Sequence, residues 1–129
     1  MHVFAKNGIV MNQEKAPRGL GVANTAGKRR SLWMVRQRIS KASARNLRIQ
    51  HLVRKNKRAS KLYRTGTYPA ATYGHQVAGL NMTRIRKLRA LAVQASGYAK
   101  PGRCATSIIS LCHGPWHDPY YRIRAEILM

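Results

Sequence analysis

Mostly apolar residues recur at alternating steps of three and four through the middle of the chain. The positions concerned are Leu32, Val35, Ile39, Ala42, Asn46, Ile49 and Val53. Such steps place side chains on one face of an α-helix, because the helix completes a turn about every 3.6 residues. The pattern predicts a long helix with one buried face, which we expect to continue to about Arg64 and to break at Gly66.

Signals for helix starts and stops divide the rest of the chain. Pro69 fits the first turn of a second helix that ends at Gly79, since proline suits a position whose amide needs no helical partner. Asn81 or Thr83 is the expected N-cap of a third helix, which Gly97 ends. The inward-facing positions of this third helix are predicted to be Met82, Ile85, Leu88, Ala92 and Ala95.

The two ends of the chain complete the predicted architecture. Residues 104–112 are rich in Ile and Leu and predict a buried helix, and Asp118 followed by Pro119 predicts the start of a last one. Residues 1–31 carry short apolar alternations separated by Gly, Asn and Pro, which favours short strands or loops. We predict a mostly α fold with an irregular or short-strand basic segment over residues 1–31. Residues 32–129 would form a small helical domain built on a long basic amphipathic helix.

The charge of the chain points to its partner. Lys and Arg number 25 against 3 Asp and Glu, which gives a formal net charge of +22. No acid stands between Lys15 and His117. Like charges repel one another within about a Debye length, ~8 Å at physiological salt, so a polyanion stabilises the compact state of such a chain. We predict that the partner is nucleic acid.

Cations follow the predicted long helix at helical spacing, beside its apolar face. We predict that phosphates are contacted by Lys28, Arg29, Arg30, Arg38, Lys41, Arg45, Arg48, Lys55, Arg58 and Lys61. Basic residues at such spacing follow a phosphate backbone and give a salt-sensitive affinity that is independent of base sequence. The alternative is a merely solvated face, but the acids that usually alternate with bases on such a face are missing here.

Three tyrosines, Tyr63, Tyr68 and Tyr73, stand beside the basic run at intervals of five. Aromatic rings stack on bases in single-strand binders, whereas a buried tyrosine packs its ring and points its hydroxyl group outward. An interval of five suits no single face of an α-helix. We favour packing over base stacking for these rings.

Other classes of function find little support in the sequence. No apolar run reaches the ~18 residues of a membrane span, and the N-terminus lacks the apolar core of a secretory signal. Cys104, Cys112, His113 and His117 are potential zinc ligands, but the first cysteine stands alone, so we predict neither metal nor cofactor. The three acids form no sequence-local pair for catalysis, and no small-molecule substrate is expected. We predict a non-enzymatic intracellular protein of the nucleus or of a ribonucleoprotein particle, with an organelle left open.

Two stretches of the chain resemble reverse transcriptases of non-LTR retrotransposons. Residues 16–22 read Ala-Pro-Arg-Gly-Leu-Gly-Val and are similar to the Leu-Gly-Val segment just after the catalytic palm of those enzymes. Residues 62–77 contain a Leu-Tyr pair, a Pro and a Tyr-Gly, and a Leu- and Arg-rich segment follows over residues 85–97, as in the thumb region. The order and the intervals agree. The sequence departs from the family pattern at Gly19, Gln76 and Ala78.

The resemblance implies a function for both stretches. Gly19, Leu20, Gly21 and Val22 would lie near the primer grip, and the basic helix would belong to a thumb that clamps a template–primer duplex by its backbone. It also implies that the sequence starts after the catalytic aspartates, so the chain would be a truncated or separately encoded piece without polymerase activity. We therefore expect non-catalytic binding of RNA or RNA:DNA duplex. The alternative is a small basic ribosomal or organellar-ribosomal protein. The length of the chain, its charge and its scarcity of acids fit this class equally well.

Overall fold

A computed structural model of the protein describes residues 18–19, 22–23 and 31–128. Within them β1 (Arg18–Gly19) pairs antiparallel with β2 (Val22–Ala23), with Arg18 opposite Ala23. The helices that follow are α1 (Trp33–Lys55), α2 (Tyr68–Thr72), α3 (His75–Ala78), α4 (Met82–Ser96), α5 (Ala105–Cys112) and α6 (Pro119–Leu128). A π-helical turn covers Tyr63–Thr67, and 3-10 turns cover Lys57–Ser60 and Pro115–His117. The predicted small, mostly helical fold is confirmed.

Helix α1 buries the face that the sequence pattern predicts, and its 23 residues extend over about 35 Å. Its buried residues are Met34, Val35, Ile39, Ala42, Asn46, Ile49 and Val53. The predicted continuation to Gly66 is wrong, because the helix ends at Lys55. Asn56 takes an extended backbone conformation there, and its side-chain oxygen accepts a hydrogen bond of 3.0 Å from the amide of Arg58. One residue thus stops α1 and caps the turn after it.

The π-helical turn explains the tyrosines that stand five residues apart. The amide of Tyr68 donates to the carbonyl of Tyr63, a hydrogen bond across five residues where an α-helix has four. This wider turn lets both rings enter the core, where their centroids lie 6.4 Å apart. Gly66 lies inside the turn and does not end a helix. The preference for packing is confirmed for Tyr63 and Tyr68, whereas Tyr73 is 57% exposed.

The second predicted helix is divided in two. Pro69 lies in the first turn of α2, as expected, but the helix ends at Thr72 and does not continue towards Val77. Gly74 has a φ of 76°, a left-handed conformation that glycine adopts without a steric penalty, and α3 begins immediately after it. The predicted stop at Gly79 is confirmed.

Helix α4 lies at the centre of the fold and packs against α1, α5 and α6. Leu88, Ala92 and Ala95 are completely buried on it. The predicted caps are confirmed: Asn81 accepts a hydrogen bond of 3.0 Å from the amide of Arg84, and Gly97 ends the helix with a φ of 76°. The prediction that Met82 faces inward is wrong, because this residue lies in the first turn of the helix and is 48% exposed.

The C-terminal helices are joined to α4 through one buried ion pair. Asp118 precedes α6 as predicted and accepts a hydrogen bond of 2.9 Å from the amide of Tyr120. Its other oxygen lies 3.0 Å from the guanidinium group of Arg89 on α4. The predicted helix is present as α5, over Ala105–Cys112, but the prediction that it is buried is only half right, because Ile109 is buried and Leu111 is 87% exposed. Helix α5 covers one side of α4 and has solvent on its own outer side.

Candidate nucleic-acid interface

Five predicted phosphate contacts share one flank of α1, which we call the basic stripe. The stripe consists of Arg38, Lys41, Arg45, Arg48 and Lys55. They follow one another at helical steps, with Leu52 filling the one step between Arg48 and Lys55. Arg38 is half-buried and the other four side chains are exposed. From first to last residue the stripe covers about 25 Å of helix, at ~1.5 Å per residue.

The acids of the described residues pair with side chains outside the stripe. These acids are Asp118, which pairs with Arg89, and Glu126, which lies 2.9 Å from Arg122 and 3.1 Å from His75. Both therefore act inside the packing of α6 against α4 and against the α2–α3 region. Within the described part of the chain, the positive charge of the stripe is left without a carboxylate neighbour.

The structure separates the ten predicted phosphate contacts into three groups. The five residues of the stripe lie together on α1. Arg58 and Lys61 are exposed but follow the break at Asn56, so the spacing that relates them to the stripe in the sequence does not hold in space. Lys28, Arg29 and Arg30 lie outside the described residues.

A small groove runs beside the N-terminal half of the stripe, between α1 and α2; we call it the basic groove. Its volume is about 150 Å³. Its lining residues are Arg38, Lys41, Ala42, Arg45, Thr67, Ala70 and Ala71. Three cations thus stand at a groove whose remaining walls are methyl groups and one threonine. Short side chains leave room for a ligand group to come close to the helix, and the three cations favour an anionic one.

Tyr73 follows the end of α2 and contacts Arg38, which lines the basic groove, and the sequence alone does not single out this contact. The guanidinium carbon of Arg38 lies 5.1 Å from the centroid of the Tyr73 ring, within the range of a cation–π interaction. The same guanidinium group donates a hydrogen bond to the Tyr73 carbonyl oxygen. Arg38 therefore holds an exposed aromatic ring in place beside the groove. The only sequence signal for this contact was a tyrosine before a glycine, which is too common to identify it.

The four potential zinc ligands of the sequence have other surroundings. His113 is buried, its Nε2 lies 3.0 Å from the carbonyl oxygen of Ala92, and burial lowers its pKa below the usual range. Burial also lowers the pKa of His117, and the nearby Arg64 lowers it further. Cys104 is exposed, and hydrogen bonding from Ser107 lowers the pKa of its thiol group. Among the described residues, no three His, Cys, Asp or Glu side chains come together in a way that would hold a metal ion.

Residues 31–128 also include no helix that is both long enough and apolar enough to span a bilayer. Comparison of the chain with protein-family models, with curated proteins and with solved structures gave no significant match.

Proposed function

We propose that this protein binds the sugar–phosphate backbone of RNA or RNA:DNA duplex and does so without catalysis. The observation that supports this most directly is the basic stripe: five cations on one flank of a rigid helix, with both described carboxylates engaged elsewhere. A helix backed by a packed core holds such charges at constant spacing, as repeated phosphate contacts require.

The expected strength of binding follows from the number of phosphates reached. Each phosphate that a Lys or Arg neutralises releases condensed counterions, so the logarithm of the binding constant falls by about 0.9 per contact for each tenfold rise in salt. Five cations of the stripe then predict a slope of about four to five, before Arg58 and Lys61 are added. This binding carries no base specificity, because backbone contacts are the same for every sequence.

The absence of a catalytic role in this proposal rests on the carboxylates. Two-metal phosphoryl transfer needs two free carboxylates that face one space. Of the two acids in the described part of the chain, Asp118 is buried and pairs with Arg89, and Glu126 pairs with Arg122 of its own helix. The similarity of residues 16–22 and 62–97 to the post-palm and thumb segments of retroelement reverse transcriptases agrees with a binding role, since a thumb holds a duplex and carries no catalytic group.

The direct test measures affinity for a fluorescently labelled RNA duplex of about 20 base pairs across a series of salt concentrations. In the double variant Arg45→Ala/Arg48→Ala, we expect the salt slope to fall by about two, one for each lost phosphate contact. The control is Arg103→Ala/Arg124→Ala, which removes the same charge from exposed positions before α5 and on α6. We expect the control to keep the slope within a few tenths of the original value.

Two results would overturn the proposal. A salt slope near zero would mean that phosphate contacts do not drive binding. An equal fall in slope for both double variants would mean that net charge matters and the stripe does not. Within the proposal, sedimentation with ribosomal subunits at high salt would favour the ribosomal alternative. An in-frame Tyr-X-Asp-Asp palm encoded upstream would favour the retroelement interpretation.

A further inference from the structure

The basic groove and Tyr73 together form a site of a different kind from the stripe. The stripe is an open row of cations, whereas the groove is a concave space of about 150 Å³ with three cations at its margin. Arg38 belongs to both, since it lines the groove and also lies 5.1 Å from the Tyr73 ring centroid. An anionic group in the groove and a flat group on the ring would therefore be neighbours.

The backbone at the end of α2 presents the ring to solvent. Tyr73 leaves the helical conformation with a ψ of 127°, and Gly74 then reverses the chain with a positive φ. The ring is 57% exposed as a result, whereas the other two tyrosines of the series are buried. The hydrogen bond from Arg38 to the Tyr73 carbonyl oxygen holds this part of the backbone against α1.

A phosphate beside an exposed, immobilised aromatic ring is the chemistry that recognises a nucleotide whose base is not paired. A base inside a duplex is already stacked on both faces, whereas an unpaired base gains by stacking on an aromatic side chain. A guanidinium group next to the ring adds to the attraction, because arginine stacks on bases as well as pairing with phosphate.

We infer that Tyr73 and the basic groove form a subsite for one unpaired nucleotide, with its base on the Tyr73 ring and its phosphate between Arg38, Lys41 and Arg45. The inference rests on the proposed backbone binding and adds a structural preference to it. The protein then distinguishes a duplex that carries a bulged nucleotide from a fully paired duplex of the same length.

The test uses three RNA duplexes that share one sequence: fully paired, with a single bulged nucleotide, and with an abasic residue at the bulge. The abasic duplex keeps the extra phosphate and the local flexibility but lacks the base. We expect the unaltered protein to bind the bulged duplex at least about 5-fold more tightly than the other two, which is the lower end of the range for one base–aromatic stack. Equal affinity for bulged and abasic duplexes would overturn the subsite.

Two variants assign the preference to the ring. Tyr73→Leu should abolish the preference for the bulge while its affinity for the paired duplex stays within about twofold, and Tyr73→Phe should keep it, because the ring and not the hydroxyl group stacks. A preference that survives Tyr73→Leu would also overturn the inference. If instead all three duplexes bind equally and with a steep salt dependence, the subsite fails and the proposed function stands. If none of them binds, the proposed function itself fails.

Discussion

The hydroxyl groups of two buried tyrosines lie in opposite hydrogen-bonding states, and this predicts opposite effects for one chemical change. Tyr63 is 1% exposed, and its hydroxyl group donates a hydrogen bond of 2.7 Å to the carbonyl oxygen of Leu88. Tyr68 is 3% exposed, and its hydroxyl group has no hydrogen-bond partner among the described residues. Replacing each tyrosine by phenylalanine keeps the ring and removes only the hydroxyl group.

The expected magnitudes follow from these two states. Tyr63→Phe loses one net hydrogen bond and should lower the free energy of unfolding by about 1 kcal/mol. Tyr68→Phe removes a hydroxyl group that was desolvated without compensation, a burden of about 1–3 kcal/mol when no partner exists. We therefore expect Tyr68→Phe to leave stability unchanged or to raise it by about 1 kcal/mol.

Alkaline pH provides a second comparison, between the Tyr63→Phe variant and the original protein. Burial raises the pKa of Tyr63 and of Tyr68 well above the ordinary tyrosine value of 10.0, and neighbouring acidic groups raise both further. A raised pKa in the folded state means that the phenol stays protonated there while the unfolded chain ionises. Stability is thus complete below pH 10 and falls above it, by about 1.4 kcal/mol per pH unit for each such tyrosine. At pH 11 the Tyr63→Phe variant, which escapes this loss, should have lost its deficit and be at least as stable as the original protein.

Urea unfolding followed by far-ultraviolet circular dichroism at pH 8, 10 and 11 measures these differences. The lysines also titrate in this range, but they are common to both proteins, so their effect cancels in the difference. A deficit of Tyr63→Phe that stays near 1 kcal/mol up to pH 11 would refute the argument from burial. Equal destabilisation by the two variants at pH 8 would refute the assignment of the hydrogen bond.

Other predictions concern the turns and the buried ion pair. Gly66 has open space around the position of a Cβ atom, so Gly66→Ala should stabilise the protein by up to about 1 kcal/mol in thermal unfolding. Gly97 has a φ of +76°, and a Cβ there would lie 2.7 Å from Val53, so Gly97→Ala should destabilise it by at least about 1–3 kcal/mol; a neutral effect would contradict this packing. Asp118→Ala should cost about 3 kcal/mol in urea unfolding, because Arg89 loses its partner and α6 its cap, and a cost below about 1 kcal/mol would show that the pair is solvated.

Local patterns in the sequence were sufficient for most of the helical fold. The apolar periodicity of α1, the caps at Asn81 and Asp118 and the stop at Gly97 each depend on residues within one or two turns. Such signals can be read without the fold because the helix itself determines which residues are neighbours. The same holds for the basic stripe, whose members are neighbours on one helix.

The remaining features depended on contacts between distant parts of the chain. The turn over Tyr63–Thr67 is π-helical, and the rings of Tyr63 and Tyr68 belong to the core that α4 also forms. No local pattern in the sequence predicts this turn. The pairing of Asp118 with Arg89, which removes one cation from the surface, joins residues 29 apart. The contact of Arg38 with Tyr73 joins residues 35 apart and places the Tyr73 ring next to an arginine that lines the basic groove. The sequence by itself determined most of the helices and which flank of α1 is charged, since both are properties of a single helix. Only the packing of one helix on another decided how the turn over Tyr63–Thr67 is wound, that Asp118 pairs with Arg89 and which tyrosine faces solvent, because each of these depends on a partner far away in the chain.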